Sequence, residues 1–174
     1  METHKILVAY ATKNGSTQEI AGKIAGTLRD NGLAVDLQLV RDVRRLDGYA
    51  AVVLGAPLYM FHWHKDAHRF LARHQTAFEG GLPVAIFAGG PIGDTDEKAW
   101  QEIRRRFDQE LAQYAWLKPV ALEIVGGKFD PGHIPFPYNL IPAMRQMPAS
   151  DLRDWKAIEA WALNLASKFQ PVMA

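Results

Sequence analysis

The sequence of 174 residues contains no cysteine. Disulfides, thiolate catalysis and cysteine-ligated metals are therefore excluded. No stretch approaches the ~18 uncharged apolar residues that a membrane-spanning helix needs. An apolar strand pattern begins almost at the amino terminus, leaving no room for a signal peptide. With the missing cysteines, this fits the cytoplasm. The chain also lacks an excess of charge of either sign: 20 Lys and Arg stand against 19 Asp and Glu, for a net charge of +1. That is too little for a nucleic-acid binder, and no aromatic–basic recognition motif appears, so no nucleic-acid partner is expected. Neither Gly-x-Gly-x-x-Gly nor a Gly-Lys-Ser/Thr loop is present, which removes the dinucleotide and nucleoside-triphosphate loops. What the chain does have is 48% hydrophobic residues and no low-complexity tract, as expected of one folded domain spanning 1–174 with a large core.

Residues 4–28 organise the rest. Ile6, Leu7, Val8 and Ala9 form a short apolar run of the kind buried on both faces of a sheet. Ile20, Ala21, Ile24, Ala25 and Leu28 then recur at helical spacing. Between them lies Thr12-Lys13-Asn14-Gly15-Ser16-Thr17, with five hydroxyl, amide or glycine positions out of six. A small polar loop between strand and helix is an anion site: backbone N–H groups converge there and the helix dipole favours negative charge. A simple helix cap needs one such residue, not five. The loop resembles that of the flavodoxin family, which reads Ser/Thr-x-Thr-Gly-x-Thr, with Asn14 here where threonine is commoner. The resemblance implies that FMN is the cofactor, with Thr12, Lys13, Asn14, Gly15, Ser16 and Thr17 holding its phosphate.

Further apolar runs follow at 33–39, 50–54, 82–88 and 119–125, and helical patterns at 63–78 and 96–115. A last helix starts near 151 or 154, with Trp155, Ile158, Trp161, Ala162 and Leu165 inward. Strands alternating with helices indicate an α/β fold with a doubly wound five-stranded parallel sheet. The flavodoxin-like order 2-1-3-4-5 puts the ligand crevice beyond the carboxyl ends of strands one and three.

The segment after the third strand, Pro57-Leu58-Tyr59-Met60-Phe61-His62-Trp63-His64-Lys65, offers aromatic and apolar walls for a flat ring. It also resembles the flavodoxin-domain branch that includes the menaquinone-dependent protoporphyrinogen oxidases, whose run here is Gly-His-aromatic-His-Lys. Phe61 stands where that branch often has glycine. Pro57, Leu58, Tyr59, Met60, Phe61, His62 and Trp63 are thus expected at the cofactor, His62 either as a proton donor or as a surface residue. After the fourth strand, Gly89, Gly90, Pro91 and Gly93 form the loop that, as the resemblance implies, borders the flavin ring, and the amides of Gly89 and Gly90 are expected to face the flavin O2 or N1. Asp94 and Asp96 read equally as helix caps. His64 and His68 have helical spacing, but with no third ligand and no cysteine no metal is expected.

Residues 127–150 form a long connection with prolines at 131, 135, 137, 142 and 148, yet rich in Phe, Ile, Leu, Met and Tyr. Loops of this length are usually functional. This one is expected to wall the pocket, join two copies of the chain as a homodimer, or make peripheral membrane contact. Arg104-Arg105-Arg106 reads as a solvated helix face or a docking patch. Carriers of the flavodoxin family are strongly acidic, and this chain is not. The resemblance therefore implies an FMN-dependent oxidoreductase passing electrons or hydride to a small acceptor such as a quinone or porphyrinogen-type compound. The alternative is an electron carrier serving a protein partner, including in redox stress. No catalytic side chain is singled out. A phosphoacceptor module would need acidic residues where Tyr10 and Gly55 stand.

Overall fold

The computed structural model describes residues 4–12, 15–91, 95–134 and 136–173. Lys13, Asn14, Gly93, Asp94 and Pro135 lie outside them. Five parallel strands, β1 (Lys5–Tyr10), β2 (Val35–Leu39), β3 (Tyr49–Tyr59), β5 (Val84–Gly89) and β6 (Ala121–Val125), pair in the order β2-β1-β3-β5-β6. This is the expected 2-1-3-4-5 order. A two-residue strand, β4 (His62–Trp63), folds back antiparallel on the end of β3.

Period-two alternation explains why the sheet is covered on both faces. Ile6, Val8, Ala51, Val53, Ala85 and Phe87 pack on one side with α1 (Ser16–Asp30) and α6 (Trp155–Met173). Leu7, Ala9, Val52, Leu54, Ile86 and Ala88 pack on the other, against α2 (Lys65–Arg73), α3 (Gln75–Glu79) and α4 (Glu97–Leu111). Gly55 is a packing requirement, because a Cβ there would lie 1.9 Å from the buried ring of Phe87. The expected single helix over 63–78 is two helices broken at His74. The 96–115 helix ends at Leu111 and is capped by Asp96, whose Oδ1 accepts the Ala99 N–H at 2.8 Å. Trp155 does not face inward as its spacing suggested. It is exposed, with the Arg153 guanidinium 4.7 Å above its ring.

The connection 127–150 leaves and rejoins the body through a narrow neck. β7 (Lys128–Phe129) pairs antiparallel with β8 (Ser150–Asp151), and the Leu152 N–H donates to the Gly127 carbonyl at 2.9 Å. A Cβ on Gly126 would stand 1.9 Å from the Leu152 carbonyl oxygen, so only glycine lets the two chains pass. Beyond the neck there are two 3-10 turns and the single-turn α5 (Pro142–Arg145), as the prolines require.

Candidate functional site

β1 leads to a helix on one face of the sheet and β3 to helices on the other, so a crevice opens beyond their carboxyl ends. At its β1 side, Gly15 sits at the cap of α1 with φ 84, a left-handed conformation that glycine adopts without strain. It has no side chain to cap the helix. Its N–H donates to Thr12 Oγ1 at 2.9 Å, which closes the loop. Ser16 faces the cavity. Thr17 is buried, and its Oγ1 has no hydrogen-bond partner among the described residues. A buried hydroxyl without a partner costs free energy. Its presence in the first turn of a 15-residue helix marks a place where a ligand oxygen would satisfy it.

On the β3 side the strand runs farther than its apolar core suggested. Pro57, Leu58 and Tyr59 belong to β3, and Met60 and Phe61 form the two-residue turn into β4. Both have positive φ, 48 and 68, as the mirror-image turn of a tight hairpin requires. Neither is glycine, so the turn carries local backbone strain. Glu110 holds the returning strand by accepting the Trp63 N–H at 3.0 and 3.2 Å. The same carboxylate lies 2.5 Å from His68 Nε2, while His68 Nδ1 lies 2.6 Å from the Tyr114 hydroxyl. Because a carboxylate only accepts, a neutral His68 donates from Nε2 and receives the Tyr114 proton at Nδ1. The Arg106 guanidinium sits 4.6 Å above the Phe61 ring.

Between these walls lie two neighbouring cavities that share Leu58, Tyr59, Tyr138 and Met144. The outer one, about 180 Å³, is apolar, with Met60, Phe61, Pro91 and Ile103 completing it. The inner one reaches Ser16, Pro57 and Gly89, and is closed by Lys128, Phe129, Asp130, His133 and Ile134 of the connection. Tyr59 and Tyr138 stack across the shared wall with centroids 6.0 Å apart. Burial, with the neighbouring Tyr138, pushes the Tyr59 phenol up to about 12.

The structure thus gathers Ser16, Pro57, Leu58, Tyr59, Met60, Phe61, Gly89 and Pro91 at the cavities, with Thr12, Gly15 and Thr17 in the loop and helix turn beside Ser16. Two expected ring contacts are placed elsewhere. Trp63 is buried in the helix-side core against Phe107, its Nε1–H donating to the Ala56 carbonyl at 3.0 Å. The Gly90 N–H is committed to the Val125 carbonyl at 2.8 Å and is not presented to a ligand. His62 is exposed in a shallow groove with Arg105, Arg106 and Gln109. His64 caps α2, its Nδ1 accepting the Asp66 N–H at 3.1 Å. Sequence reasoning missed Glu110 as the clamp on the hairpin. It recurs seven residues after Ile103 on the stripe shared with Phe107 and Tyr114, and an acid on an apolar stripe was the available signal.

These residues fit FMN: hydroxyls and first-turn amides for a phosphate at one end, and apolar and aromatic side chains for a ring at the other. The flavodoxin domain matches residues 7–136, which is most of the chain and ends inside the long connection. Escherichia coli (strain K12) protoporphyrinogen IX dehydrogenase [quinone] is 23% identical over 172 residues, covering 93% of this chain and 94% of that protein. Among solved structures, flavodoxin 2 from Bacillus cereus superposes with TM-score 0.59 at 24% identity, over 95% of this chain and 99% of that one. A flavodoxin from the domain Archaea gives 0.57 at 14% identity, over 95% and 99%. The chain belongs to the flavodoxin-domain family.

Proposed function

We propose that this protein is an FMN-dependent oxidoreductase acting on a small, flat, largely apolar acceptor of quinone or porphyrinogen type. The observation that carries the reading is the pairing of a buried Thr17 hydroxyl, unpartnered among the described residues, with an apolar cavity between the hairpin and the long connection. Bound FMN supplies the redox chemistry, which side chains here do not. The chain's own contribution is placement. Thr12, Ser16, Thr17 and the first-turn amides of α1 hold the phosphate. Lys13 and Asn14 belong to the same loop sequence, as Gly93 does to the ring-side loop. Leu58, Tyr59, Met60 and Pro91 flank the ring, and Gly89 gives the inner cavity a wall without a side chain.

The outer cavity is smaller than the roughly 300–1,000 Å³ of typical ligand pockets, so binding moves Tyr138 and Met144 outward. Those two residues come from the connection, not from the sheet. Met60, Phe61, Phe136, Leu140 and Ile141 are exposed, giving the hairpin tip and the connection apolar surface of the kind an apolar acceptor meets. The similarity to a quinone-linked dehydrogenase over nearly the whole chain supports the same class of reaction. The acceptor is also the small-molecule partner expected of a chain with so little net charge.

The test is the visible spectrum of the purified protein, loaded with FMN if colourless, followed through stepwise anaerobic reduction. Bleaching in one two-electron stage, with reoxidation by a soluble quinone, is the expected result. Two well-separated one-electron stages would replace this reading with that of a carrier serving a protein partner. Failure to bind FMN would remove both.

A further inference from the structure

The inner cavity continues outward into a cleft of about 220 Å³ lined by Ser16, Lys128, Asp130 and His133. Ser16 is the first residue of α1, so the cleft lies at that helix's positive end, one residue from the unpartnered Thr17 hydroxyl. The other three residues come from the base of the long connection. Lys128 is exposed and forms no ion pair among the described residues. The carboxyls of Asp130 and Asp151 are held below their ordinary value chiefly by hydrogen bonds from the Gly132 N–H and from Arg153, respectively, with the Lys128 charge as the smallest contribution to each. His133 is differently placed. Asp130 Oδ2 lies 2.7 Å from its Nδ1, while Asp130 Oδ1 accepts the Gly132 N–H at 2.8 Å. Both carboxylate oxygens are thereby engaged and Nδ1 is the donor to Asp130, so the ring offers Nε2–H to an anion as an imidazolium, with a proton on each nitrogen. Among the described residues, the other strong cation nearby is consumed: Arg153 pairs with Asp151 at 2.8 Å and with Glu19 at 2.9 Å.

A phosphate monoester at the helix end would face two hydroxyls and the first-turn amides on one side, and on the other a lysine and a histidine that the sheet does not provide. We propose that Lys128 and His133 form the outer half of the phosphate site, so that the long connection is part of the cofactor pocket and is drawn closed by the phosphate. This rests on the FMN reading above. It assigns the connection a role in binding as well as in covering. Lys128 stands in the neck itself, paired with Asp151 and one residue after Gly127, whose N–H donates to the Pro91 carbonyl at 2.9 Å. A contact at Lys128 therefore acts on the neck of the connection and on the loop after β5 together.

The experiment compares FMN with riboflavin, which has the ring but not the phosphate, by quenching of flavin fluorescence. The wild-type protein, Lys128→Gln, Lys128→Arg and His133→Gln are titrated with each. Lys128→Gln is expected to weaken FMN about tenfold, the effect of removing one charge-assisted hydrogen bond at a partly exposed site. It should leave riboflavin unchanged. Lys128→Arg should retain most of the FMN affinity, and His133→Gln should lose a few-fold, again for FMN alone. FMN should also protect the connection from protease in the wild type more than in Lys128→Gln. Equal losses for both flavins, or no loss for either, would overturn the proposal while leaving the FMN reading standing. A wild-type protein that binds neither flavin would instead remove the FMN reading, and this inference with it.

Discussion

The parallel sheet and the 127–150 connection are both rich in apolar residues, yet they stand at opposite ends of burial. On β1, β3 and β5, Ile6, Leu7, Val8, Val52, Val53, Leu54, Ile86 and Phe87 are completely buried. On the connection, Phe136 is 72% exposed and Leu140 64%. The backbone explains the contrast. Strand amides are satisfied by neighbouring strands in a fixed register, which forces each side chain to one face. The connection satisfies its own locally, His133 to Asp130, Leu140 to Pro137 and Gln146 to Pro142, and fixes no such faces. Its attachment is the neck, and its apolar side chains are left to line cavities or meet a ligand. Rigidity and adaptability are thus segregated along the chain, with the candidate site at their boundary.

Two substitutions break the comparison from opposite sides. Phe87→Ala empties a fully buried position between Gly55 and Trp161 and should cost about 3–5 kcal/mol, lowering Tm by roughly 10 °C. Denaturant unfolding would read this, and the neck should survive in the remaining folded protein. Phe136→Ser, its counterpart on the connection, should change stability by less than about 0.5 kcal/mol. Next in size is Gly126→Ala, where the new Cβ must displace the Leu152 carbonyl. A cost of about 1–3 kcal/mol is expected, with new protease cleavage confined to 130–149 while the sheet stays intact. Cleavage spread over the whole chain would show that the two regions do not open separately.

The same contrast sets what could be read from sequence. The sheet order, the buried strands and the inward face of α1 follow from alternation and helical spacing, patterns that one face of water and one of core impose. The start of α1 was legible because a glycine followed by hydroxyl residues suits a strand-to-helix turn, and Gly15 takes the left-handed cap conformation there. Trp63 was misplaced because a large aromatic beside a turn looks the same whether it walls a pocket or folds back with β4 into the core. The Gly90 amide was misplaced because hydrogen bonds to a neighbouring loop leave no mark on composition. The connection announced that it packs somewhere, but without periodicity it could not announce that Tyr138 and Met144 wall the cavities.

Thr17→Val sharpens the boundary itself. The two side chains have the same shape and similar helix propensity, so the change removes a buried, unpartnered hydroxyl and little else. The flavin-free protein should gain about 0.5–1 kcal/mol, read by thermal unfolding. Its FMN affinity should fall about 5- to 30-fold, the loss of one hydrogen bond to a charged group. A gain in stability with no loss of affinity would move the phosphate away from this turn.

A small, pH-dependent effect is expected where the connection returns. The Arg153 side chain is almost fully covered and joins Asp151, at the end of the neck, to Glu19 on α1. The hydrogen bond from Arg153 is the principal cause holding the Asp151 carboxyl below its ordinary value. A depressed carboxyl contributes its full stabilisation above the unfolded value, about 3.9, and loses it as pH falls through the lower folded value. Asp151 is itself substantially exposed, so the contribution is expected to stay below about 1 kcal/mol. Asp151→Asn keeps an oxygen that accepts from Arg153 but carries no charge. Its stability should therefore trail the wild type at pH 6 and converge with it once pH has fallen through the depressed folded value. Weakening of the neck should appear first as proteolysis within 130–149, since Arg153 ties the end of the neck to α1 and bears on none of the buried strand faces. A deficit that stayed constant down to low pH would mean that the contact between Arg153 and Asp151 holds by shape rather than by charge.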